Sequence, residues 1–237
     1  MRATTPAVRL AVLALLCAVT TAVWAQDDRN RAPGFLSLPK NAKVVMMPAD
    51  IELFSISGGG VLEPRADWTE AATRNFTASL RKRNEGLGLN LVQMAEKDAD
   101  EFSEINSLHA AIARAIAIHH FGAPSLPTKD GKLDWSLGEA TQAIKKATGA
   151  DYALFTWVRD AHASPERQAA MMAMAVLSLG RAVPRGGTQT AYASLVDLTT
   201  GRVLWFNQLR RDSGNIRDEE QAGETVETLF RSLPVAK

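Results

Sequence analysis

Residues 188–198 and 202–209 are two apolar strands joined through Thr199-Thr200-Gly201, a linker short enough to close a hairpin. This pair is what most limits the possible folds. Strands so closely linked pair antiparallel. Earlier in the chain, strand-like stretches alternate with helical patterns, and helices between strands imply parallel crossovers. The sequence therefore requires a mixed sheet.

The earlier elements can be placed one by one. Lys43-Val44-Val45-Met46-Met47 is a short buried strand ended by Pro48. Residues 50–57 alternate in part, with Ile51 and Leu53 on one face. Phe54 and Ile56 break that phase, which predicts a bulge or turn before Gly58-Gly59-Gly60. Asp67, with Glu70 three residues on, predicts a helix start. Trp68, Ala72, Phe76 and Leu80 form its apolar face, and Gly86 and Gly88 end it. Residues 89–94 follow as a short strand, then 99–121 as a long helix with Phe102, Ile105, Ile112 and Ile116 in one stripe. Ser136 caps the next helix, with Leu137, Ala140, Ile144 and Ala147 apolar and Gly149 at its end. Residues 150–158 are the most strand-like stretch. Residues 164–179 are helical, and 218–233 form a closing helix with Ala222, Val226, Leu229, Phe230 and Leu233 inward. The order is β-α-β-α-α-β-α-β-β-α. It predicts one α/β (α+β mixed) domain over residues 41–237, a mixed sheet of about five strands with helices packed on it.

Arg2 and Arg9 precede an apolar run over residues 10–25, and Val23-Trp24-Ala25 then supplies a small residue before Gln26. This is the pattern of a secretory signal peptide, residues 1–25, cut after Ala25. The run is short of the roughly 20 apolar residues that cross a bilayer, and no later segment is long and apolar enough. Cys17 is the one cysteine. Leu16 stands where a lipoprotein signal needs a small residue, so Cys17 belongs to the apolar run and lipid anchoring there is not expected. Residues 26–40, polar and holding Pro33, Gly34 and Pro39, form a leader. The expected compartment is the periplasm, and a mature chain without cysteine suits its oxidising conditions.

Charge excludes one class of partner. The chain has 27 Lys and Arg against 26 Asp and Glu; the signal segment holds two of the arginines and no acid, leaving 25 against 26. Nucleic-acid binding needs clustered excess cations, and none is expected. No cofactor or metal site is expected either. His109 and His119 lie ten residues apart on one helix, roughly 15 Å at 1.5 Å per residue, and His119 and His120 point about 100° apart. Ser79-Leu80-Arg81-Lys82 matches the SxxK element of penicillin-interacting serine enzymes, but the companion motifs are missing. Gly58-Gly59-Gly60 lacks the Lys-Ser/Thr of a phosphate loop. Arg81-Lys82-Arg83 and Arg210-Arg211 read as solvated charge.

One tract stands out. Ala169-Ala170-Met171-Met172-Ala173-Met174-Ala175-Val176-Leu177 carries three methionines, and no charge occurs between Gln168 and Arg181. It is either a helix buried on the sheet or a partly exposed patch that touches a partner or a membrane. Met171, Met172, Met174, Val176 and Leu177 are the candidate partner surface.

Three segments carry a resemblance: the helix and strand from Leu137-Gly138-Glu139 to Ala153-Leu154-Phe155, the hairpin Ala193-Ser194-Leu195-Val196-Asp197-Leu198-Thr199-Thr200-Gly201-Arg202-Val203-Leu204-Trp205, and the closing helix. Together they resemble bacterial envelope domains, including the amino-terminal domain of TolB, the periplasmic domain of the curli secretion channel and the lipoprotein activators of penicillin-binding proteins. The resemblance implies a non-catalytic accessory that binds another envelope protein. Two alternatives come from the residues. His162 with Asp160 or Asp151 could serve an exported hydrolase or transferase at strand ends. A cavity of several hundred Å3 under the Met-rich helix could carry a small apolar ligand.

Overall fold

A computed structural model describes residues 29–85, 89–94, 100–179, 181 and 186–235. The signal segment, Cys17, and the helix-ending Gly86 and Gly88 lie outside the described residues.

Among the described residues there are seven strands, β1 (Lys43–Met46), β2 (Asp50–Ile56), β3 (Leu62–Pro64), β4 (Asn90–Gln93), β5 (Tyr152–Ala163), β6 (Gly187–Asp197) and β7 (Val203–Arg211). The helices are α1 (Ala66–Glu85), α2 (Ser103–His119), α3 (Thr141–Thr148), α4 (Pro165–Leu177) and α5 (Glu219–Leu229). They make one mixed sheet with helices on both faces. It has two strands beyond the expected five or so, because residues 50–56 pair as a strand of their own and then turn back into β3.

The spine is β5. One edge of it carries two parallel neighbours in succession, β1 against Tyr152–Leu154 and β2 against Trp157–Ala163. Its other edge pairs antiparallel with β6 along Tyr152 to His162. Met47-Pro48-Ala49 splits the first edge in two, since proline has no N–H to give a ladder. Beyond β1 lies β4, parallel, and beyond β2 lies β3, antiparallel. The expected hairpin is β6–β7. Covered on both faces, β5 is buried at eight of twelve positions, and a central strand of this kind reads as a near-continuous apolar run.

Successive side chains alternate between two cores. Val44, Leu53, Leu154, Val158, Leu195 and Trp205 face α1 and α5. Val45, Ala153, Phe155, Val196 and Phe206 face α2 and α3. Ala72, Phe76 and Leu80 of α1 are buried, as are Ala222, Val226, Leu229, Phe230 and Leu233 at the C-terminus, all as expected. The expected bulge in β2 is absent. Its register with β5 is unbroken, Ser55 takes the inward position, and Phe54 and Ile56 stay half-buried on the other face. Asp67 does not cap α1; it pairs with Arg65 at 2.9 Å within the first turn.

The 26–40 leader is fastened where it is described. Asn30 donates through Nδ2 to the Phe206 carbonyl at 2.7 Å and accepts from the Phe206 N–H at 2.9 Å. Ala32 N–H donates to the Leu204 carbonyl at 2.9 Å, and Leu38 bridges Val235. This strap covers part of the outer edge of β7.

Candidate functional site

The end of β5 launches α4. Ser164 leaves the strand with extended backbone, and its Oγ accepts the Arg167 N–H at 3.2 Å, a helix N-cap followed by proline. Gln168 Nε2 returns to the Ala163 carbonyl at 3.0 Å. These bonds fix the foot of the helix. The rest stands away from the sheet, and none of its thirteen residues is buried. The reading of this tract as a helix buried on the sheet therefore gives way. Met172 is 72% exposed, Val176 76% and Leu177 85%, with Met174 also exposed and Met171 half-buried. By contrast α2 buries Ile105, His109, Ala113 and Ile116. The ligand-carrier reading loses its roof, since a helix with no buried side chain encloses nothing.

The helix ends unusually. Leu179 has φ of 53° and is 83% exposed. That left-handed conformation costs a leucine roughly 1–2 kcal/mol and is normally given to glycine at this place after a helix. The fold thus spends backbone energy to hold a leucine in water. At the foot of α4, the β2–β3 turn presents Val61 and β3 opens on Leu62, both more than half exposed. The turn adjoins the helix, since a Cβ at Gly60 would lie 3.5 Å from Arg167 Nη1.

A second cluster lies beneath, on the face toward α1 and α5. His162 Nε2 stands 3.1 Å from Asp160 Oδ1, two residues back on the same side of β5. Asp160 is 1% exposed. Its other oxygen accepts from Gln189 Nε2 at 3.0 Å and from the Ile216 N–H at 3.4 Å. Gln189 Oε1 in turn accepts from Arg211 Nε at 2.8 Å, and Arg211 Nη2 donates to Thr225 Oγ1 at 2.7 Å. The strand registers set this chain, because Asp160 faces Gln189 and Gln189 faces Arg211. His162 also meets the edge of Trp68, whose ring lies 4.0 Å from the Arg217 guanidinium carbon and 4.5 Å from that of Arg65. Burial pushes the Arg217 guanidinium down from its ordinary value, against the pull of Asp160.

Of the two acids considered for His162, the fold brings it Asp160 alone. Asp151 sits beyond the far end of β5, paired with Lys145 at 3.2 Å. Ser55 stands opposite His162 across the β2–β5 ladder, but is 4% exposed. An acid and a hydroxyl as buried as these offer a substrate no approach. Two clefts lie elsewhere. One of about 360 Å3 is lined by Arg29, Phe35 and Lys132 among others, and one of about 790 Å3 by Ser79, Lys82, Arg83 and Glu227. The SxxK pair therefore lies in the α1–α5 groove, where Arg83 donates to the Phe230 carbonyl at 2.6 Å.

The other histidines have separate partners. His109, fully buried, bonds Ser194 Oγ at 2.8 Å and stacks on Phe155; burial pushes its pKa down to about 3. His119 meets the Pro124 carbonyl and His120 the Arg29 carbonyl. Among the described residues no three His, Cys, Asp or Glu side chains converge for a metal, and no helix is long and apolar enough to cross a membrane.

No family model and no curated protein sequence matches the chain. Among solved structures, it is similar to the PelC dodecamer from Paraburkholderia phytofirmans, at 11% identity over 87% of this chain and 97% of that chain, TM-score 0.40. Lipoprotein GNA1162 from Neisseria meningitidis gives 13% identity, 80% and 94% coverage, and TM-score 0.31. The LpoB C-terminal domain from Salmonella enterica gives 11%, 77% and 88%, and TM-score 0.31. LpoB is one of the penicillin-binding-protein activator lipoproteins that the sequence resembles. At these identities and scores none of the three assigns a role to a residue here.

Proposed function

We propose that this protein is an exported, non-catalytic accessory of the cell envelope that docks onto another envelope component through α4. The observation that carries the reading is a thirteen-residue helix with no buried side chain and an apolar surface. A monomeric soluble domain rarely leaves so many large apolar residues together in water unless something covers them. Export to the periplasm rests on the basic and apolar pattern of residues 1–25. The absence of catalysis rests on Asp160 being buried and bonded through Oδ2 to Gln189 and the Ile216 N–H, while His162, 3.1 Å from its other oxygen, has no accessible nucleophile beside it among the described residues.

The test is a photo-crosslinking residue placed at Met172, compared with one at exposed Lys146 on α3, in cells making the full chain. Mass spectrometry then identifies each adduct. An envelope component captured from position 172 and not from 146 supports the docking role. No adduct at 172, or the same adducts at both positions, overturns it.

A further inference from the structure

We infer that α4 and the turn after it form a lipid-docking element, which enters one leaflet of a bilayer bearing anionic headgroups. This rests on the docking role above and names the surface that α4 meets.

The first argument is circumferential. At about 100° per residue, Met172, Val176, Leu177 and Met174 fall near 0°, 40°, 140° and 200° around the helix axis. All four are exposed, so the apolar surface takes in more than half the circumference. A helix that docks on a protein face needs one apolar stripe and keeps the remainder polar. A helix apolar on most sides matches a medium that surrounds it, and hydrocarbon does so.

Length agrees. Thirteen residues at 1.5 Å each span about 20 Å, against about 30 Å for a hydrocarbon core. Such a helix enters without crossing. The strained, exposed Leu179 adds a further apolar side chain at the far end, and Val61 and Leu62 add two at the foot. Among the described residues nothing covers Leu179, so a contact made outside the chain would account for its strain.

Charge supplies the headgroup preference. From Pro165 to Gly187 the sequence carries three arginines against one acid, Glu166 at the foot of the helix, a net charge of +2. Arg181, just past the helix, is exposed. Arginines flanking an apolar insertion meet lipid phosphates while their stems stay among the apolar chains.

The experiment is vesicle flotation of the chain from Gln26 onward, with phosphatidylethanolamine–phosphatidylglycerol vesicles and with pure phosphatidylcholine vesicles. The chain is expected to float with the first and at least fivefold less with the second. The double variant Val176→Asp/Leu177→Asp is expected to lose binding at least tenfold. Its circular-dichroism melt stays within a few degrees, since both positions are exposed. Leu179→Gly is expected to melt higher and float less, a combination that a purely structural leucine would not give. Arg181→Glu is expected to narrow the gap between the two vesicle types. No flotation, or equal flotation of the double variant, overturns the lipid inference. Equal binding to both vesicle types overturns its anionic part. If vesicles fail while position 172 crosslinks an identified protein, the lipid inference falls and the docking role stands; if both fail, both fall.

Discussion

Gln189 on β6 donates its side-chain amide to the buried Asp160 carboxylate on β5 at 3.0 Å, directly across the ladder. The same glutamine accepts from Arg211, so it satisfies an acid and a base at once. Gln189→Leu would strip a partner from both. Leaving buried polar groups unsatisfied costs about 1–3 kcal/mol for each neutral group, and more for charged ones. We expect Gln189→Leu to lower the unfolding free energy by about 3 kcal/mol in urea titrations. A loss under 1 kcal/mol would show that the chain of bonds is not structural.

His109 predicts an acid-sensitive core. Its pKa is pushed from 6.5 to about 3 by burial. Between those values the unfolded chain binds a proton that the folded chain refuses. The stability contributed by keeping this ring neutral is therefore complete above pH 6.5 and declines as pH falls toward 3, by roughly 1.4 kcal/mol per pH unit. His109→Gln removes this component. Urea midpoints at pH 7 and pH 5 should draw closer in the variant, by the equivalent of about 2 kcal/mol. An unchanged gap would mean that the ring does not titrate as its burial requires.

Two glycines with nearly the same backbone should respond differently. Gly201 has φ of 70° and Gly138 has φ of 71°. A Cβ at Gly201 would lie 2.1 Å from the Gly138 carbonyl oxygen, whereas one at Gly138 meets nothing within 4 Å. Gly138→Ala should cost about 1–2 kcal/mol for its left-handed backbone alone. Gly201→Ala should cost clearly more, because Cβ and carbonyl cannot share that space. Thermal melts of the two variants decide it, and equal losses would place the β6–β7 turn wrongly against residue 138.

Asn30 anchors the strap. It is 7% exposed and bonds both the Phe206 carbonyl and Asn207 Oδ1. Asn30→Ala should lower stability by about 1–2 kcal/mol. It should also speed hydrogen exchange at the Phe206 amide, which donates to the Asn30 carbonyl. Slow exchange retained at that amide would mean the strap holds without its side chain.

Sequence pattern made some of these elements visible and hid others. The closing helix was legible because five apolar residues repeat at helical spacing, and Gly149 because only its backbone freedom explains a left-handed helix end at φ of 66°. The β6–β7 hairpin was legible from its turn. Ser136 showed the approach to α3, but its Oγ accepts from the Gly138 N–H, and the α-helix itself begins at Thr141. The Asp160–Gln189–Arg211–Thr225 chain stayed hidden because each residue is unremarkable alone. The one signal was that Gln189 shares the inward phase of Ala191, Ala193 and Leu195. The Met-rich tract was conspicuous in composition, yet composition carries no information about whether a neighbour covers a helix. That depends on the direction in which Ser164 turns the chain at the end of β5.

The strap has a bearing on the order of events as the protein matures. Asn30 is received by Phe206 and Leu38 by Val235, so the earliest described residues are held by some of the latest. A chain that emerges N-terminus first presents this anchor long before Phe206 and Val235 have followed. The strap can close only once β7 and Val235 are in place, which makes it one of the last contacts of the fold to form.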